Sequence, residues 1–192
     1  MNLDRPFATA FVEENARAVA TLPIDDILRG AEAIDLARQQ GNRVFIIGNG
    51  GSAATATHMA CDLMKASSGA GRPPVRVQCL SDCTPALTAW ANDESFDVIF
   101  SAQLKIQAEP RDLLIVVTGS GRSPNVLHAL EQARDSDIRT IGLLGMGGGP
   151  ALDLCDVPVL VDSADYEVIE NAHMVVGHLW AAYLREHGER SA

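Results

Sequence analysis

Short apolar runs recur along the chain without the strict alternation of apolar and polar residues that marks a half-exposed strand. The runs are RVFIIG (43–48), VRVQCL (75–80), DLLIVVTG (112–119), RTIGLLG (139–145) and VPVLVD (157–162). Their richness in Val, Ile and Leu is typical of strands in a parallel sheet that is covered on both faces. The pattern therefore predicts a buried parallel sheet.

Stretches with the apolar spacing of helices alternate with these runs. They cover residues 7–22, 24–41, 52–66, 96–107, 123–135 and about 165–187. Alternating strands and helices predict a doubly wound, flavodoxin-like α/β fold in three layers, with a parallel sheet flanked by helices. In such sheets ligands bind at loops beyond the carboxyl ends of the strands, so a site is expected there.

Composition and charge narrow the classes of function. No linker-like segment divides the 192 residues, which predicts a single domain over residues 1–192. The 15 Lys and Arg residues against 25 Asp and Glu give a net charge of -10, which opposes binding to nucleic acid or to an anionic membrane. The chain shows neither a secretory signal nor an apolar stretch of about 18 residues, so we expect a cytoplasmic protein.

The cysteines have neither CxxC spacing nor the density of a disulfide scaffold. They are Cys61, Cys79, Cys83 and Cys155. We therefore expect reduced and mostly buried thiols.

The loop GNGGS follows the first predicted strand and has the residues of an anion cradle. Gly48, Gly50 and Gly51 let backbone N–H groups approach a ligand, and Ser52 adds a hydroxyl near the start of a helix. The loop is neither GxxxxGK[ST] nor a complete GxGxxG, which disfavours a nucleoside-triphosphate or dinucleotide site. A phosphate is the ligand that such a loop favours.

A second loop of similar design, TGSGRSPN (118–125), follows the third predicted strand. Ser123 and Pro124 are typical of a helix N-cap and its first residue. The loop offers the hydroxyls of Thr118, Ser120 and Ser123 beside Gly119 and Gly121. Either loop alone is equally well explained as an ordinary capped turn, but two hydroxyl-rich loops at comparable strand ends favour a phosphosugar ligand.

Two predicted helices carry pairs of histidine and carboxylate residues. His58 and Asp62 are one turn apart, and Glu170 and His178 are about 80° apart around the helix axis. His173 lies about 140° from His178, so both histidines are not expected to serve one site directly. Each pair alone is more often a solvated polar pair, but together they fit a site for zinc or a similar divalent ion.

Four segments together resemble the sedoheptulose 7-phosphate isomerase (phosphoheptose isomerase) family of sugar-isomerase (SIS) domains. They are GNGGSAATATHMACDL, AWANDESF, TGSGRSPNVLHAL and IENAHMVVGHL, and the resemblance extends from about residue 10 to 187. It implies a five-stranded parallel sheet and a homotetramer with sites between subunits, in which residues 1–41 form part of the oligomer core. It also implies aldose–ketose isomerisation of a heptose phosphate through an enediol.

The resemblance assigns roles to individual residues. It implies a zinc site of His58, Asp62, Glu170 and His178, with Asp62 or Glu170 as the catalytic base and His178 as the acid. The residues that it implies for substrate binding are Asn49, Gly50, Gly51, Ser52, Asp93, Thr118, Gly119, Ser120 and Ser123.

Four positions depart from the family pattern. Asp62 stands where Glu is usual, Glu170 where Gln is usual, Gly119 where Thr is usual, and Ala66, beside Lys65, where a basic residue is usual. These changes leave two alternatives open: an isomerase of another phosphosugar, or a non-catalytic module that binds phosphosugars or associates with a replication initiator. A dinucleotide-dependent oxidoreductase is disfavoured because the glycine fingerprint is incomplete.

Overall fold

The computed structural model describes residues 4–67 and 73–187. The predicted domain of residues 1–192 also includes 1–3, 68–72 and 188–192, which lie outside the described residues. The strands are β1 (Arg43–Gly48), β2 (Arg76–Cys79), β3 (Leu113–Thr118), β4 (Arg139–Leu144) and β5 (Val157–Leu160). The α-helices are α1 (Arg5–Ala20), α2 (Ile24–Gln40), α3 (Gly50–Ala66), α4 (Thr84–Asp93), α5 (Ser101–Gln107), α6 (Pro124–Asp135) and α7 (Tyr166–His187).

The five strands form one sheet in the order β2-β1-β3-β4-β5, and every neighbouring pair is parallel. Val44 pairs with Leu113 of β3, which in turn pairs with Arg139 of β4. From β1 the chain continues to β2 at one edge of the sheet, and it then crosses to β3 on the opposite side of β1. The topological switch point therefore lies between β1 and β3, and the predicted doubly wound fold is confirmed.

Helices cover the sheet on both faces, which explains the uninterrupted apolar strands. Val44 and Ile46 point into a core shared with α2, α3 and α7, whereas Phe45 and Ile47 point into a second core with α5 and α6. Because both sets of strand side chains are buried, neither face selects polar residues.

The observed elements agree with the predicted segments except between residues 84 and 107 and at an unpredicted 3₁₀ helix, Gly149–Leu154. The segment predicted as one helix over 96–107 is a 3₁₀ turn, Phe96–Val98, followed by α5. Helix α4 was not predicted, and none of its residues is buried. An element without a buried apolar stripe leaves little periodic signal in the sequence.

Helix α7 is fixed against both α2 and α3. The indole N–H of Trp180 donates a hydrogen bond of 2.8 Å to the carbonyl of Ile27, and a Cβ at Gly30 would lie 2.6 Å from the Trp180 ring. Along the other contact, Gly51 faces Glu170 and Met59 faces Gly177, so α3 and α7 run side by side in the same direction. This packing positions the residues of two histidine–carboxylate pairs.

The cysteines differ from the expectation in their burial. All four are free thiols, as expected, but Cys61 and Cys83 are exposed and Cys155 is half-buried. Cys79 is buried, and burial raises the pKa of its thiol. The prediction of mostly buried thiols was therefore wrong, because Cys61 and Cys83 occupy outward positions of α3 and of the turn before α4.

The described helices include none that is long and apolar enough to cross a membrane. The cytoplasmic location stays a prediction.

Candidate functional site

A pocket of about 300 Å³ lies at the carboxyl ends of β1 and β3, beside the switch point. Elements distant in sequence contribute to it: the loops after both strands and the first turns of α3 and α7. The residues that line it are Asn49, Gly50, Gly51, Ser52, Val117, Thr118, Gly119, Ser120, Ser123, Tyr166 and Glu170. The structure thus brings together eight of the nine residues that the resemblance assigned to substrate binding.

The pocket offers positive potential from backbone groups rather than from basic side chains. Helix α3 begins at Gly50, α6 begins directly after Ser123, and α7 begins at Tyr166, so three helix N-termini meet there. The N-termini of α3 and α6 have no side-chain caps and present free N–H groups with about half a unit of positive charge each. At α7 the Asp165 carboxylate already accepts a hydrogen bond of 3.1 Å from the N–H of Val168. None of the described lining residues is Lys or Arg. Although the chain has a net charge of -10, these backbone groups make the pocket suitable for binding a phosphate group.

Hydroxyl groups complete the second loop. Thr118 Oγ1 accepts a hydrogen bond of 3.2 Å from the N–H of Gly121, which holds the loop in its turn. Ser123 occupies the N-cap position of α6, and Pro124 is the first helical residue, as predicted. In the described chain the Ser123 side chain makes no capping hydrogen bond to the helix, which leaves its hydroxyl available to a ligand.

The segment between β4 and β5, which contains Gly148 and Ala151, packs behind the second loop. Gly121 has φ +61°, and a Cβ there would overlap the carbonyl oxygen of Gly148. The N–H of Ala151 donates a hydrogen bond of 3.2 Å to the carbonyl of Gly121. Glycine at 121 is therefore required both by its backbone conformation and by this close approach.

Asn49 and Asn125 join the first and second loops directly. The amide of Asn49 donates to Oδ1 of Asn125 over 2.9 Å, and the amide of Asn125 donates to Oδ1 of Asn49 over 3.0 Å. Asn49 lines the pocket, but both polar atoms of its side chain are already paired with Asn125. Its predicted role in substrate binding stays a prediction, and its backbone groups are the ones left for a ligand.

A second cluster lies farther along α3 and α7. His58 Nε2 is 3.2 Å from Asp62 Oδ2, His178 Nε2 is 3.5 Å from the same oxygen, and the two Nε2 atoms are 3.3 Å apart. Ligand atoms about 2.0–2.1 Å from a tetrahedral zinc ion lie about 3.3–3.4 Å from one another. The triangle of donor atoms therefore fits three corners of such a site, and two imidazoles with one carboxylate suit a divalent transition metal. We call these three residues the triad.

Glu170 does not join the triad in this structure. Its carboxylate packs against the start of α3, where a Cβ at Gly51 would overlap both of its oxygens. The eight residues between Glu170 and His178 correspond to about 12 Å along the helix axis. The structure therefore places Glu170 in the pocket and His178 in the triad. The role of Glu170 as a metal ligand stays a prediction.

Asp93 and Ala66 lie outside the pocket. Asp93 is the exposed last residue of α4, and its Oδ1 accepts a hydrogen bond of 2.8 Å from the amide of Asn92. Ala66 lies beyond the triad with Lys65 and Arg185, in a separate pocket that Asp62 and His178 also line. The predicted role of Asp93 in substrate binding stays a prediction.

His173 lies in the core and outside the triad, in agreement with the expectation that it and His178 would not both serve one site. It is completely buried, and its Nε2 lies 3.2 Å from the carbonyl oxygen of Leu144, to which it donates. Its Nδ1 has no hydrogen-bond partner among the described residues. Burial lowers the pKa of His173 to about 4, and the bond to Leu144 opposes this shift only partly.

The sequence did not predict the roles of Asn125, which holds Asn49 from behind the pocket, and of Tyr166, which lines it. Asn125 stands within the quoted loop TGSGRSPN, but only the fold brings it to Asn49. Tyr166 lies at the start of α7, where no motif marks it. An aromatic residue one turn before Glu170 was the available signal, since residues four apart share a helix face.

The fold and the pocket define a doubly wound α/β domain with a candidate phosphosugar site at its switch point. Residues 9–145 match the SIS domain family. The chain is 39% identical over 153 residues to the phosphoheptose isomerase of Rhodospirillum rubrum, covering 80% of this chain and 81% of that protein. It is 36% identical over 183 residues to the probable phosphoheptose isomerase of Thermoplasma acidophilum, covering 93% and 98%.

A solved structure leads to the same family. The phosphoheptose isomerase of Francisella tularensis superposes with a TM-score of 0.85 at 27% identity, over 94% of this chain and 95% of that one. The chain therefore belongs to the SIS domain family and, within it, to the phosphoheptose isomerases.

Proposed function

We propose that the protein is an aldose–ketose isomerase that converts sedoheptulose 7-phosphate into a heptose 7-phosphate through an enediol. The observation that carries this proposal is that a pocket suited to phosphate and a triad suited to proton transfer occupy the same pair of helices. The relatives named phosphoheptose isomerase support the same substrate.

The spacing of the two sites supports a long sugar chain. Gly51 at the pocket and His58 in the triad are seven residues apart on α3, which is about 10 Å along the axis and within about 20° around it. An open-chain heptose 7-phosphate has eight bonds between C1 and phosphorus, or about 10 Å at the roughly 1.2 Å advance per bond of an extended chain. With the phosphate in the pocket, C1 and C2 reach the triad.

The triad residues then transfer the proton. Asp62 contacts both histidines through Oδ2, which leaves Oδ1 to take the proton from one carbon and return it to its neighbour. His178 is the acid that protonates the sugar oxygen; with its Nε2 bound to a metal ion, its Nδ1–H would be the group left to donate. Glu170 lies in the pocket beside Gly51, at the phosphate end of the bound chain, where its carboxylate accepts hydrogen bonds from the nearest sugar hydroxyls.

Zinc is the ion that the triad fits best. His58, Asp62 and His178 would hold it with three ligands, which leaves a position open to substrate. A bound zinc ion supplies Lewis-acid polarisation of the sugar carbonyl.

A homotetramer with sites between subunits is part of the proposal. The exposed apolar side chains Phe7, Phe11 and Val12 lie on α1, and such a face favours burial against another copy of the chain. Asp93, remote from the pocket of its own chain, would then serve a neighbouring subunit. Light scattering measures the mass in solution, and a monomer would contradict this part of the proposal.

An assay of the purified, zinc-supplemented protein on sedoheptulose 7-phosphate tests the reaction. Appearance of the aldose by NMR, together with exchange of solvent deuterium into the substrate, is the expected result. The Asp62→Asn variant is the matched control, because it keeps the size of the side chain but removes the carboxylate; zinc analysis of both proteins separates loss of the base from loss of the metal. Binding of the sugar phosphate without turnover would favour a non-catalytic binding module, and turnover of another phosphosugar would reassign the substrate.

A further inference from the structure

Tyr166 lines the pocket, although neither the hydroxyl loops nor the triad includes it. It is the first residue of α7 and lies one turn before Glu170, so both side chains are on the pocket side of the helix. Among the described lining residues it provides the one aromatic ring. Its exposed fraction of 53% shows that the ring is open to a ligand rather than enclosed in the core.

The ring occupies space that only glycine at position 119 leaves free. A Cβ at Gly119 would lie 3.0 Å from both Cδ1 and Cε1 of Tyr166, which is closer than ordinary van der Waals contact. Gly119 itself does not have a positive φ, so the backbone there accepts other residues. The contact with Tyr166 is thus the steric reason for glycine at this position.

The position of the ring indicates which part of a ligand it touches. Gly119 stands between Thr118 and Ser120, the residues suited to hold the phosphate, so the ring lies beside the carbon atoms next to that phosphate. The C–H bonds of these carbons are the apolar part of a sugar chain, and their burial against an aromatic face is favourable. A free phosphate ion has no C–H bonds to bury.

We propose that Tyr166 is a specificity-determining residue whose aromatic face, admitted by Gly119, selects phosphate esters of polyol chains over inorganic phosphate. The inference rests on the proposed function in one respect, because it takes the loop of Thr118, Ser120 and Ser123 as the phosphate site. The side chain of Tyr166 is exposed, so its hydroxyl as well as its ring can reach a ligand, and comparison with phenylalanine separates the two.

Calorimetric titration of the zinc-supplemented protein with sedoheptulose 7-phosphate and with inorganic phosphate tests the role of the ring. We expect Tyr166→Ala to raise the Kd for the sugar phosphate by about 3- to 10-fold, the loss typical of one aromatic contact, and to raise KM more than it lowers kcat. The Kd for inorganic phosphate changes by less than about twofold in the same variant, because that ion does not touch the ring. Tyr166→Phe restores the affinity for the sugar phosphate.

Gly119→Ala tests the steric link between the two residues. The added methyl group displaces the exposed ring, so we expect the affinity for sedoheptulose 7-phosphate to fall by about as much as in Tyr166→Ala. Combined with Tyr166→Ala, the same substitution causes no further loss, because the ring that it displaces is already absent. Thermal unfolding of each variant shows whether the fold is intact.

The possible results separate this inference from the proposed reaction. The expected pattern of affinities without any turnover supports the role of Tyr166 and refutes the isomerase proposal. Equal losses of affinity for sugar phosphate and inorganic phosphate, additive effects of the two substitutions, or no binding by the unmodified protein overturn the role of Tyr166.

Discussion

The pocket and the triad share helices α3 and α7 but are built in different ways. The pocket consists of backbone N–H groups and short hydroxyl side chains at the ends of two strands. The triad consists of two imidazoles and one carboxylate, and its two histidines are separated by 120 residues in sequence. Motifs in the sequence therefore describe the first region almost completely, whereas the second region exists only after two helices pack together.

The difference predicts unlike responses to mutation. Loss of one hydroxyl leaves the pocket with its helix termini and its other donors, so binding weakens by degrees. Loss of one triad side chain removes a chemical step, because neither a histidine nor a carboxylate can be replaced by the backbone.

Asp62→Asn gives the largest expected effect on activity. We expect turnover of sedoheptulose 7-phosphate to slow by about 10²- to 10⁴-fold, because the amide cannot accept the proton. KM should change little, since the phosphate pocket is untouched. Steady-state kinetics measure both constants, and His187→Ala, at an exposed histidine at the end of α7, is the control. Changes of equal size in KM and in the turnover rate would mean that the two regions are not separate.

His173 sharpens the comparison because it lies on α7 but belongs to neither region. Its pKa is lowered to about 4 in the folded protein, whereas a histidine in the unfolded chain titrates near 6.5. Between these values the unfolded state binds more protons, so the free energy of unfolding falls as the pH decreases from about 6.5 to 4, by about 3 kcal/mol in total.

Urea unfolding at several pH values measures this effect. In His173→Gln, which keeps a donor for Leu144 but does not titrate, we expect the decrease in unfolding free energy between pH 6.5 and 4 to be smaller by about 3 kcal/mol than in the unmodified protein. His187→Ala should retain the full decrease. Parallel pH profiles for His173→Gln and the unmodified protein would contradict the lowered pKa.

Ser123→Ala tests the graded character of the pocket. A hydrogen bond to a charged group contributes about 1.5–3 kcal/mol, so we expect KM to rise by roughly 10- to 150-fold while the turnover rate stays within about threefold. Ser136→Ala, at the other end of α6, is the matched control. A turnover rate that falls as far as in Asp62→Asn would show that the pocket takes part in the chemical step.

Glu170→Gln has the smallest expected effect and decides the identity of the base. The carboxylate lies in a pocket for an anion, and two like charges about 6 Å apart in water repel by about 0.7 kcal/mol, so the amide should lower KM by about threefold. With Asp62 as the base, the turnover rate is retained. Turnover slowed by about 100-fold or more would instead assign the base to Glu170.

The sequence was sufficient for the strands and loops because their signals are local. Runs such as RVFIIG and the glycine and serine residues after them lie within a few positions of one another. Their conversion into five parallel strands and a pocket follows from general rules of α/β folds.

The sequence alone could not show which residues belong to the triad. The angle of about 80° between Glu170 and His178 allowed them to share one site, but their separation of about 12 Å along the helix placed them in different regions. The partner of Asn49 and the ring beside Gly119 were likewise unpredictable, since both contacts join segments far apart in sequence. Such contacts depend on how helices pack, which no local pattern encodes.

The reciprocal amide pair of Asn49 and Asn125 has a consequence for folding. It closes the pocket across 76 residues, and it forms only when β1 and β3 are paired at the centre of the sheet. An unfolded or half-folded chain therefore has no binding site, and a ligand that fills the pocket stabilises the whole sheet. At a hundred times its Kd, a ligand adds about 2.7 kcal/mol to the free energy of unfolding. Resistance of the protein to proteolysis would thus rise and fall with the supply of its sugar phosphate.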